Sequence, residues 1–574
     1  MPNDLMTAAG ENLRGTPWQV YPRPQMRRES FLNLNGAWDF SVNFEKMGQI
    51  RVPFCPESRL SAIGKHFEEG SLLCYQRTFR LPEGFQKGRV ILHIGAADQR
   101  ADVFVNGKAA GCHKGGYDAF SFDITPFLQE ENVLQICCFD DLQDQTYPYG
   151  KQVLPEKRGG MWYTPVSGIW QSVWLESVPE TCIEKLHVEN RGYSVKISIE
   201  PALAGTVTVP QLGTFQLAEG SVTITPDNPH LWSPEDPYLY DFTVEAGEDR
   251  VESYFAIRCL EIQKVGAFPR LCLNGKPYFF HGLLDQGYWP DGLFTPAAPG
   301  CYADDILMMK KLGFNTLRKH IKVEPEEFYY QCDKLGMIVF QDMVSGGRYH
   351  YLRDTVMPTL SLTSQKLPDK WLHRDPVMQK RFLAGMEAAV RQLKNHPCIC
   401  CWTIFNEGWG QFDADRVYEQ LRRLDDTRFI DTTSGWFRQR KTDVDSRHVY
   451  FRKVKLRADT VKPLVLSEFG GKTFRVDGHI FNPDKAYGYG GCETREALSD
   501  AIVKLYMEEV VPCARKGLCA AIYTQLSDVE DEINGLVTYD RKAEKLEPGK
   551  LRPVAEALQR AVEDVCADHV TDPQ

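Results

Sequence analysis

Several features are missing from this sequence, and each absence narrows what the chain can be. No apolar run approaches the roughly 20 residues that a membrane-spanning helix needs. The N-terminus lacks a basic stretch followed by an apolar one, so we expect no secretory signal. Positive charge is not in excess, because 67 Lys and Arg face 77 Asp and Glu for a net charge of −10. We therefore expect neither nucleic acid nor a membrane as partner.

Cysteine is present in number but not as an evident disulfide framework. The 17 cysteines are spread over 574 residues, and several lie in apolar, strand-like runs, such as Cys137, Cys138, Cys400 and Cys401. A chain of this length with 43% hydrophobic residues can form several hydrophobic cores without disulfide bonds. We therefore expect reduced cysteines and a cytoplasmic protein.

Two apolar runs of strand length each end in a glutamate. Ile399–Phe405 is followed by Asn406 and Glu407, and Pro463–Ser467 is followed by Glu468. Buried parallel strands have this composition, and α/β enzymes place catalytic side chains at the carboxyl ends of such strands. Glycosidases use two carboxyl groups in their active sites, one of them as a proton donor, and two strands that each end in a glutamate would provide them.

The residues around these glutamates resemble the signatures of glycoside hydrolase family 2, the family of bacterial β-galactosidases, β-glucuronidases and β-mannosidases. In that family Asn-His-Pro precedes the acid/base strand, as at 395–397, and Asn-Glu ends it. The segment 467–470, Ser-Glu-Phe-Gly, resembles the nucleophile segment of the family. The resemblance therefore implies that Glu407 is the general acid/base and Glu468 the nucleophile of a retaining mechanism.

The succession of strand and helix patterns divides the chain into three parts. Residues 1–178 begin with a polar arm, residues 1–28, which we expect to lie extended on the surface, and continue as an antiparallel β-sandwich. Residues 179–262 carry short alternating strands that suit an immunoglobulin-like β-sandwich. In residues 263–574 strands alternate with helices, and eight strands predict a (β/α)8 TIM barrel. The family resemblance covers nearly the whole chain and implies that the first sandwich is a jelly roll.

Four further residues are candidates for substrate binding because they match family positions. The resemblance implies that Asn406 donates to the sugar 2-hydroxyl and that Tyr450, at the end of the sixth barrel strand, donates to the nucleophile. It also matches Arg318 and His320, which follow the second strand, to an arginine and a histidine of the family. Of these two, Arg318 is expected to brace the active-site carboxylates.

Other side chains are candidates for the sugar subsite on chemical grounds. Asp285 follows the first barrel strand, and Trp409 and Trp436 lie on loops where an indole can stack on the apolar face of a sugar. Lys319 and Lys322 flank His320, where the family commonly has a small residue and Tyr-Pro. A lysine facing a subsite would suit an acidic sugar, because a buried ammonium needs an anion. The alternative is that both lysines lie on the solvated rim of the barrel.

We expect a retaining exo-β-glycosidase with β-galactosidase-like specificity, and hence a carbohydrate substrate as partner. A β-uronidase acting on a glucuronide or galacturonide is the first alternative and a β-mannosidase the second. Against the uronidase, the Asn-x-Lys motif by which β-glucuronidases hold a carboxylate would fall at 532–534, where its lysine is missing. A non-catalytic carbohydrate-binding protein is the alternative from another class, and the two intact glutamates argue against it.

No cofactor is expected, and specifically no catalytic metal. The Glu-x-His pair that ligates magnesium in some β-galactosidases is absent after Asp342, where Met-Val-Ser-Gly-Gly follows instead. The sequence leaves open whether the protein forms a homo-oligomer.

Overall fold

The first of three units is an antiparallel β-sandwich in the computed structural model, which describes residues 4–357, 369–450 and 452–570. Side chains alternate between buried and exposed along its strands, as a sheet with one face on a core requires. Its strands are β1 (Leu32–Asn33), β2 (Gly36–Val42), β3 (Glu45–Val52), β4 (Leu72–Phe79), β5 (Arg89–Ile94), β6 (Ala97–Asp98), β7 (Arg100–Val105), β8 (Lys108–Lys114), β9 (Phe120–Asp123), β10 (Asn132–Phe139), β11 (Gly168–Ile169) and β12 (Val173–Val178). A sheet ordered β3-β2-β4-β10-β7-β8 shares one core with a sheet ordered β1-β12-β5-β9, which confirms the predicted sandwich.

Two cysteines of this sandwich form a disulfide, which corrects the expectation that the cysteines are all reduced. Cys74 on β4 and Cys137 on β10 are direct partners in the antiparallel ladder, with Cα atoms 4.2 Å apart. Directly opposed residues of neighbouring strands are held this close by the pairing itself. The bond therefore depends on strand register, which the sequence does not display.

The second unit is the immunoglobulin-like sandwich that the sequence predicts. Its strands are β13 (Lys185–Arg191), β14 (Ser194–Glu200), β15 (Gly205–Val209), β16 (Gly213–Leu217), β17 (Ser221–Ile224), β18 (Tyr240–Ala246) and β19 (Asp249–Phe255). Sheets ordered β13-β14-β17 and β16-β15-β18-β19 enclose a core of aliphatic and aromatic side chains. Short strands β20 (Leu260–Val265), β21 (Phe268–Leu273) and β22 (Lys276–Pro277) then lead into the third unit.

The third unit is a parallel β-barrel, as predicted. Its eight strands are β23 (Phe280–Asp285), β24 (Thr316–Lys319), β25 (Ile338–Asp342), β26 (Ile399–Asn406), β27 (Phe429–Ser434), β28 (Asp445–Val449), β29 (Leu464–Phe469) and, after the short pair β30 (Thr473–Phe474) and β31 (Gly491–Cys492), β32 (Leu518–Tyr523). The order β27-β26-β25-β24-β23-β32-β29-β28 is nearly closed, and Ser434 Oγ lies 3.2 Å from Ser446 Oγ across the seam. All eight residues of β26 are buried, which explains its unbroken apolar sequence.

Helices follow the barrel strands at the predicted places. They are α2 (Gly300–Lys311), α3 (Glu326–Leu335), α4 (Pro376–Leu393), α5 (Ala414–Leu424), α6 (Arg495–Leu505), α7 (Val511–Ala514) and α8 (Arg552–Val570), with α1 (Ala8–Glu11) in the N-terminal arm. The start of α4 shows the local signals that place a helix, because Asp375 accepts hydrogen bonds from the amides of Val377 and Met378 and Pro376 takes the first position. No helix in the described ranges is long and apolar enough to cross a membrane.

The N-terminal arm does not lie extended on the surface, which corrects the expectation from the sequence. The Trp18 side chain is buried, and its Nε1 donates to the carbonyl of Pro296 in the barrel at 2.8 Å. Arg28 is buried too, and its guanidinium pairs with Glu176 of the first unit at 3.0 Å and with Asp249 of the second at 2.7 Å. The arm therefore ties the three units together, and its arginine content serves ion pairs inside the protein instead of solvation.

A long loop of the first unit reaches the catalytic end of the barrel. Tyr149 and Gly150 both donate backbone hydrogen bonds to the carbonyl of Ser345, which follows β25, at 3.0 Å. On the return path of the loop, the hydroxyl of Tyr163 donates to the carboxylate of Glu532 in the segment after β32. This docking places Lys151, between those anchors, beside the carboxyl ends of the barrel strands.

Candidate active site

Glu407 and Glu468 meet at the carboxyl end of the barrel. Glu407 is the first residue after β26 and Glu468 lies near the end of β29, and both are buried. One oxygen of each carboxylate and a ring nitrogen of His448 all lie within 4.8 Å of one another. Glu407 has a φ of 53°, in the left-handed region that a non-glycine residue adopts only when its surroundings hold it there. The two strands thus bring both glutamates to a single point.

Glu468 is held as a carboxylate by two hydrogen-bond donors and a neighbouring imidazole. Arg318 Nη1 lies 3.0 Å from its Oε1, while the Tyr450 hydroxyl donates to its Oε2 and His448 Nδ1 lies 3.6 Å from that oxygen. Burial alone would raise the pKa of Glu468, but the neighbouring His448 and Arg318 outweigh it and lower the pKa to about 2. Glu468 is therefore ionised at neutral pH and suited to act as a nucleophile.

The environment of Glu407 favours the opposite protonation state. Burial raises the pKa of Glu407, and the negative charge of Glu468 raises it further, although a hydrogen bond from His448 opposes the rise. That bond joins His448 Nδ1 to Glu407 Oε1 at 2.8 Å. Two neighbouring carboxyl groups with pKa values displaced in opposite directions are what a glycosidase needs for its acid and its nucleophile.

Arg318 is the centre of the hydrogen-bond network beneath the glutamates. Besides Glu468 it contacts Asp342 through Nε at 2.9 Å and the Asn406 side-chain oxygen through Nη2 at 2.8 Å. Because a guanidinium can only donate, this contact fixes the amide orientation of Asn406. The Nδ2 of Asn406 then has no hydrogen-bond partner in the described part of the chain. A buried donor without a partner, next to Glu407, is available to a ligand.

His320 is buried beside this network and is neutral. Its Nδ1 lies 2.8 Å from Asp342 Oδ2, which itself pairs with Arg318. Burial lowers the pKa of His320 to about 4 in spite of the hydrogen bond to Asp342. His320 therefore supports the network through its contact with Asp342.

Lys322 does not face an open subsite, contrary to one of the sequence-based possibilities. Its Nζ donates to the carbonyls of Gly287 at 2.5 Å and Phe294 at 2.7 Å and lies 3.0 Å from both oxygens of Glu324. An ammonium has three protons to donate, so these contacts use its full capacity. The second alternative, a solvated rim, is also wrong, because Lys322 is only 2% exposed.

Lys319 and Asp285 belong to the same closed arrangement. The Nζ of Lys319 lies 2.6 Å from Asp285 Oδ2 and 2.9 Å from Glu324 Oε1, and it stands 4.2 Å from the centre of the Phe328 ring. Asp285 also accepts a hydrogen bond from the amide of Gly287 at 2.9 Å. The anion that a buried lysine requires is therefore supplied by the protein itself, and no acidic substrate is needed to explain these lysines.

Three aromatic side chains near the glutamates pack against neighbouring rings. The buried Trp409 ring is stacked on Trp162 of the first unit with centroids 5.2 Å apart, and Trp436, which is partly exposed, packs edge-on against His448 at 5.9 Å. Tyr450 is stacked on Tyr489 with centroids 4.2 Å apart. Of the two tryptophans singled out from the sequence, Trp436 thus keeps the more accessible ring face.

Comparison with known families identifies the family of this chain. The family models of the glycosyl hydrolases family 2 match this chain in order: the sugar binding domain at residues 60–179, the domain named for the family itself at 181–258 and the TIM barrel domain at 269–545. The chain belongs to glycosyl hydrolase family 2. Its two sandwiches and its barrel are the three domains of that family.

Relatives within family 2 have more than one specificity. A β-galactosidase of Thermoanaerobacter pseudethanolicus is 24% identical over 69% of this chain and 53% of its own length, and a β-glucuronidase of Bacteroides fragilis is 23% identical over 65% and 56%. The chain thus spans about half the length of the curated relatives it matches. Among solved structures, a β-D-glucuronidase of Dictyoglomus thermophilum (TM-score 0.71, 20% identity, 94% of this chain and 98% of that one) and a β-galacturonidase of Eisenbergiella tayi (TM-score 0.66, 18% identity, 94% and 99%) share the fold.

Three residues of this family 2 site escaped the sequence analysis. His448 lies two residues before Tyr450, and the two-residue period of a strand would have placed both on one face. Lys151 and Trp162 come from the first domain, more than 240 residues before Glu407, and no local pattern connects them to the barrel. Only the docking of the loop on Ser345 shows that they belong to the site.

One group of side chains in the described ranges has the composition and spacing of a metal site, and it is Glu407, His448 and Glu468. Two of these three already have strong partners. Glu468 is paired with the Arg318 guanidinium at 3.0 Å, and His448 Nδ1 is hydrogen-bonded to Glu407 at 2.8 Å. A cation at this point would have to compete with Arg318 for the Glu468 carboxylate.

Proposed function

We propose that this family 2 protein is a retaining exo-β-glycosidase that removes a terminal β-linked sugar. The close approach of Glu407 and Glu468 carries the proposal, because oxygens of the two carboxylates lie within 4.8 Å of each other. Retaining glycosidases hold their carboxyl groups about 5–5.5 Å apart, whereas inverting ones leave about 6.5–9.5 Å for a water molecule. A close approach of this kind supports the retaining arrangement.

The reaction then takes two displacements. Glu468 attacks the anomeric carbon while Glu407 gives its proton to the glycosidic oxygen, so the leaving alcohol departs neutral and a glycosyl ester forms on Glu468. Glu407, now a carboxylate, takes a proton from water as that water attacks the anomeric carbon and releases Glu468. Arg318 and Tyr450 hold Glu468 in place through the contacts described above. The Nδ2 of Asn406 supplies a donor for the sugar 2-hydroxyl.

A panel of nitrophenyl β-glycosides (galactoside, glucuronide, galacturonide and mannoside) tests this proposal. We expect turnover of at least one member, abolished in Glu468→Gln. Glu407→Ala should keep the first step for these activated leaving groups, and added azide should restore turnover with a β-glycosyl azide as product. Absence of hydrolysis of every member by a folded protein, or identical behaviour of the two variants, would contradict the assignment.

For the sugar itself, β-galactosidase-like specificity is the first candidate, and a β-uronidase is the second. Lys319 and Lys322 no longer support the uronidase, but Lys151 does. Its side chain is buried, yet its ammonium has no hydrogen-bonded acceptor in the described residues and lies 5.1 Å from the centre of the Trp409 ring. Its positive charge opposes the rise that burial causes in the pKa of both Glu407 and Glu532. This ammonium is available to an anion, and a substrate carboxylate would supply one.

The variant Lys151→Met separates the two sugars, with Lys114→Met, an exposed lysine of the same domain, as the matched control. If the substrate is a uronide, Lys151→Met should weaken transition-state binding of that uronide by about 2–4 kcal/mol, measured as a loss in kcat/KM. This is the range for a lost charge partner. Hydrolysis of the matching neutral sugar should change little. A wild type that cleaves the galactoside well and ignores both uronides would leave the first candidate in place.

A further inference from the structure

His448 lies between the two catalytic glutamates, and the reaction as written gives it no role. It is on β28, and its side chain is fully buried. The Nδ1 atom is 2.8 Å from Glu407 Oε1 and 3.6 Å from Glu468 Oε2. A buried imidazole in contact with both reacting carboxyl groups must affect their protonation, since each contact favours one charge state over the other.

The partners of the other ring nitrogen indicate which nitrogen carries the proton directed at Glu407. His448 Nε2 lies 3.4 Å from Arg318 Nη1 and 3.1 Å from Ser434 Oγ. Because a guanidinium can only donate, its contact favours Nε2 as the acceptor and Nδ1 as the nitrogen that carries the proton. That N–H is the one directed at Glu407, so His448 donates and the Glu407 carboxyl accepts.

Three serines hold the ring in this orientation. Ser434 Oγ, which contacts Nε2, lies 2.9 Å from Ser467 Oγ, and Ser446 Oγ lies 2.6 Å from Ser467 Oγ. They come from β27, β28 and β29 and close the barrel seam under the imidazole. The donor is therefore preorganised, and no rearrangement is required when charge develops on Glu407.

We propose that His448 is a positioning residue that tunes the acid/base Glu407 by donating its Nδ1–H to Glu407 Oε1. The inference rests on the proposed function, because it takes Glu407 as the proton donor. The proton given to the leaving oxygen comes from the other carboxyl oxygen, Oε2, and the Nδ1–H stays on the imidazole throughout. His448 thus stabilises the carboxylate that Glu407 becomes, both at departure of the alcohol and while it accepts a proton from water.

Other titratable and charged groups also face this position and have to be separated from it. Glu468 faces the ring from β29 and Arg318 from β24, while Lys151 acts on Glu407 from the first domain. Asp431 on β27 is the group that could imitate the effect, because burial raises its pKa to about 6, although Ser446 and the charge of Arg318 oppose the rise. Asp431→Asn is therefore the control variant.

The test compares His448→Phe, His448→Asn and His448→Gln in the full chain, using an active nitrophenyl glycoside and the alkyl glycoside of the same sugar. Phe removes the donor, Asn can place an amide near the Nδ1 position, and Gln places it near Nε2. Loss of the donor should raise the Glu407 pKa, so the basic limb of kcat/KM against pH should move up by about one pH unit in His448→Phe. Turnover of the alkyl glycoside, which needs protonation, should fall about 10-fold to 100-fold more than that of the nitrophenyl glycoside.

The three substitutions make the outcome decisive. His448→Asn should retain most of the wild-type basic limb, whereas His448→Gln should resemble His448→Phe and Asp431→Asn should leave the limb in place. An unmoved basic limb in folded His448→Phe, with equal losses on both substrates, would overturn the inference while leaving the proposed function intact. If His448→Phe does not fold, the contrast between Asn and Gln decides, and equal limbs in those two would overturn it as well. Failure of the proposed function would instead show as an inactive wild type.

Discussion

Two buried, charged clusters lie at the carboxyl end of the barrel, and they differ in how completely the protein satisfies them. The lysine cluster consists of Asp285, Lys319, Lys322 and Glu324. The glutamate cluster consists of Asn406, Glu407, His448 and Glu468. Both are built from residues at or just beyond the carboxyl ends of barrel strands, and both contain ionisable groups that would be costly to bury alone.

The lysine cluster is closed. Its two ammonium groups face two carboxylates, and the donors of Lys322 are all taken up by Glu324 and by backbone carbonyls. The glutamate cluster is open, because Asn406 keeps a buried amide nitrogen without a partner in the described part of the chain. Burial of charge is thus a poor guide to function by itself, whereas a buried donor left unsatisfied points to a ligand.

The largest expected effect comes from breaking the glutamate cluster. Glu468→Gln should reduce turnover by about 10⁴-fold or more, since no other group can form the glycosyl ester. Its free energy of unfolding should fall only modestly, because Arg318 keeps Asp342 as a second buried anion when the charge of Glu468 is removed. Steady-state kinetics measures the loss of turnover, and urea denaturation measures the change in the free energy of unfolding. A large loss of stability with partial activity would contradict the contrast between the clusters.

Breaking the lysine cluster should have the reverse effect. Glu324→Gln leaves two buried ammonium groups short of one negative charge and should lower the free energy of unfolding by about 3–5 kcal/mol, the range for removing one partner of a buried pair. The kcat of the fraction that remains folded should be unchanged. Glu419→Gln, which removes one partner of an exposed pair with Lys441, is the control and should leave the denaturation midpoint in place. Unchanged stability of Glu324→Gln would show that the lysines have another anion.

The open donor of the glutamate cluster should contribute only when the substrate has a 2-hydroxyl. We expect Asn406→Ala to lower kcat/KM by about 10²-fold to 10³-fold, equivalent to about 3–4 kcal/mol, because that contact strengthens in the transition state. With the 2-deoxy form of the same glycoside, the wild type and the variant should differ little. Equal losses on both substrates would indicate that Asn406 serves only to orient Arg318.

The smallest effect is a displacement along the pH axis. Glu468 has to be ionised and its pKa lies at about 2, so the acid limb of kcat/KM should fall below the usual carboxylate range. Glu407 has to be protonated and its pKa is raised, so activity should be lost as the pH rises through a value above that of an ordinary glutamate. In Glu407→Ala with azide the basic limb should disappear. Its persistence would assign it to a different group.

How far the sequence leads depends on whether a feature is local. The barrel strands and Glu407 could be predicted, because an apolar run and the Asn-Glu pair that ends it lie within about ten consecutive residues. The closure of the lysine cluster could not, because Lys319 meets Asp285 from another strand. The Cys74 disulfide depends on strand register, and the burial of Arg28 depends on acids supplied by two other units. Each of these is a contact between distant segments, for which a single sequence carries no signal.

The identity of the residue that becomes glycosylated tests the central claim most directly. Incubation with a 2-deoxy-2-fluoro β-glycoside that carries a good leaving group should trap the intermediate, because the fluorine slows its hydrolysis more than its formation. Peptide mass spectrometry is expected to find one added fluoroglycosyl group on Glu468 in the wild type and none in Glu468→Gln. A label on any other residue, or release of the inverted anomer with no label at all, would contradict the account.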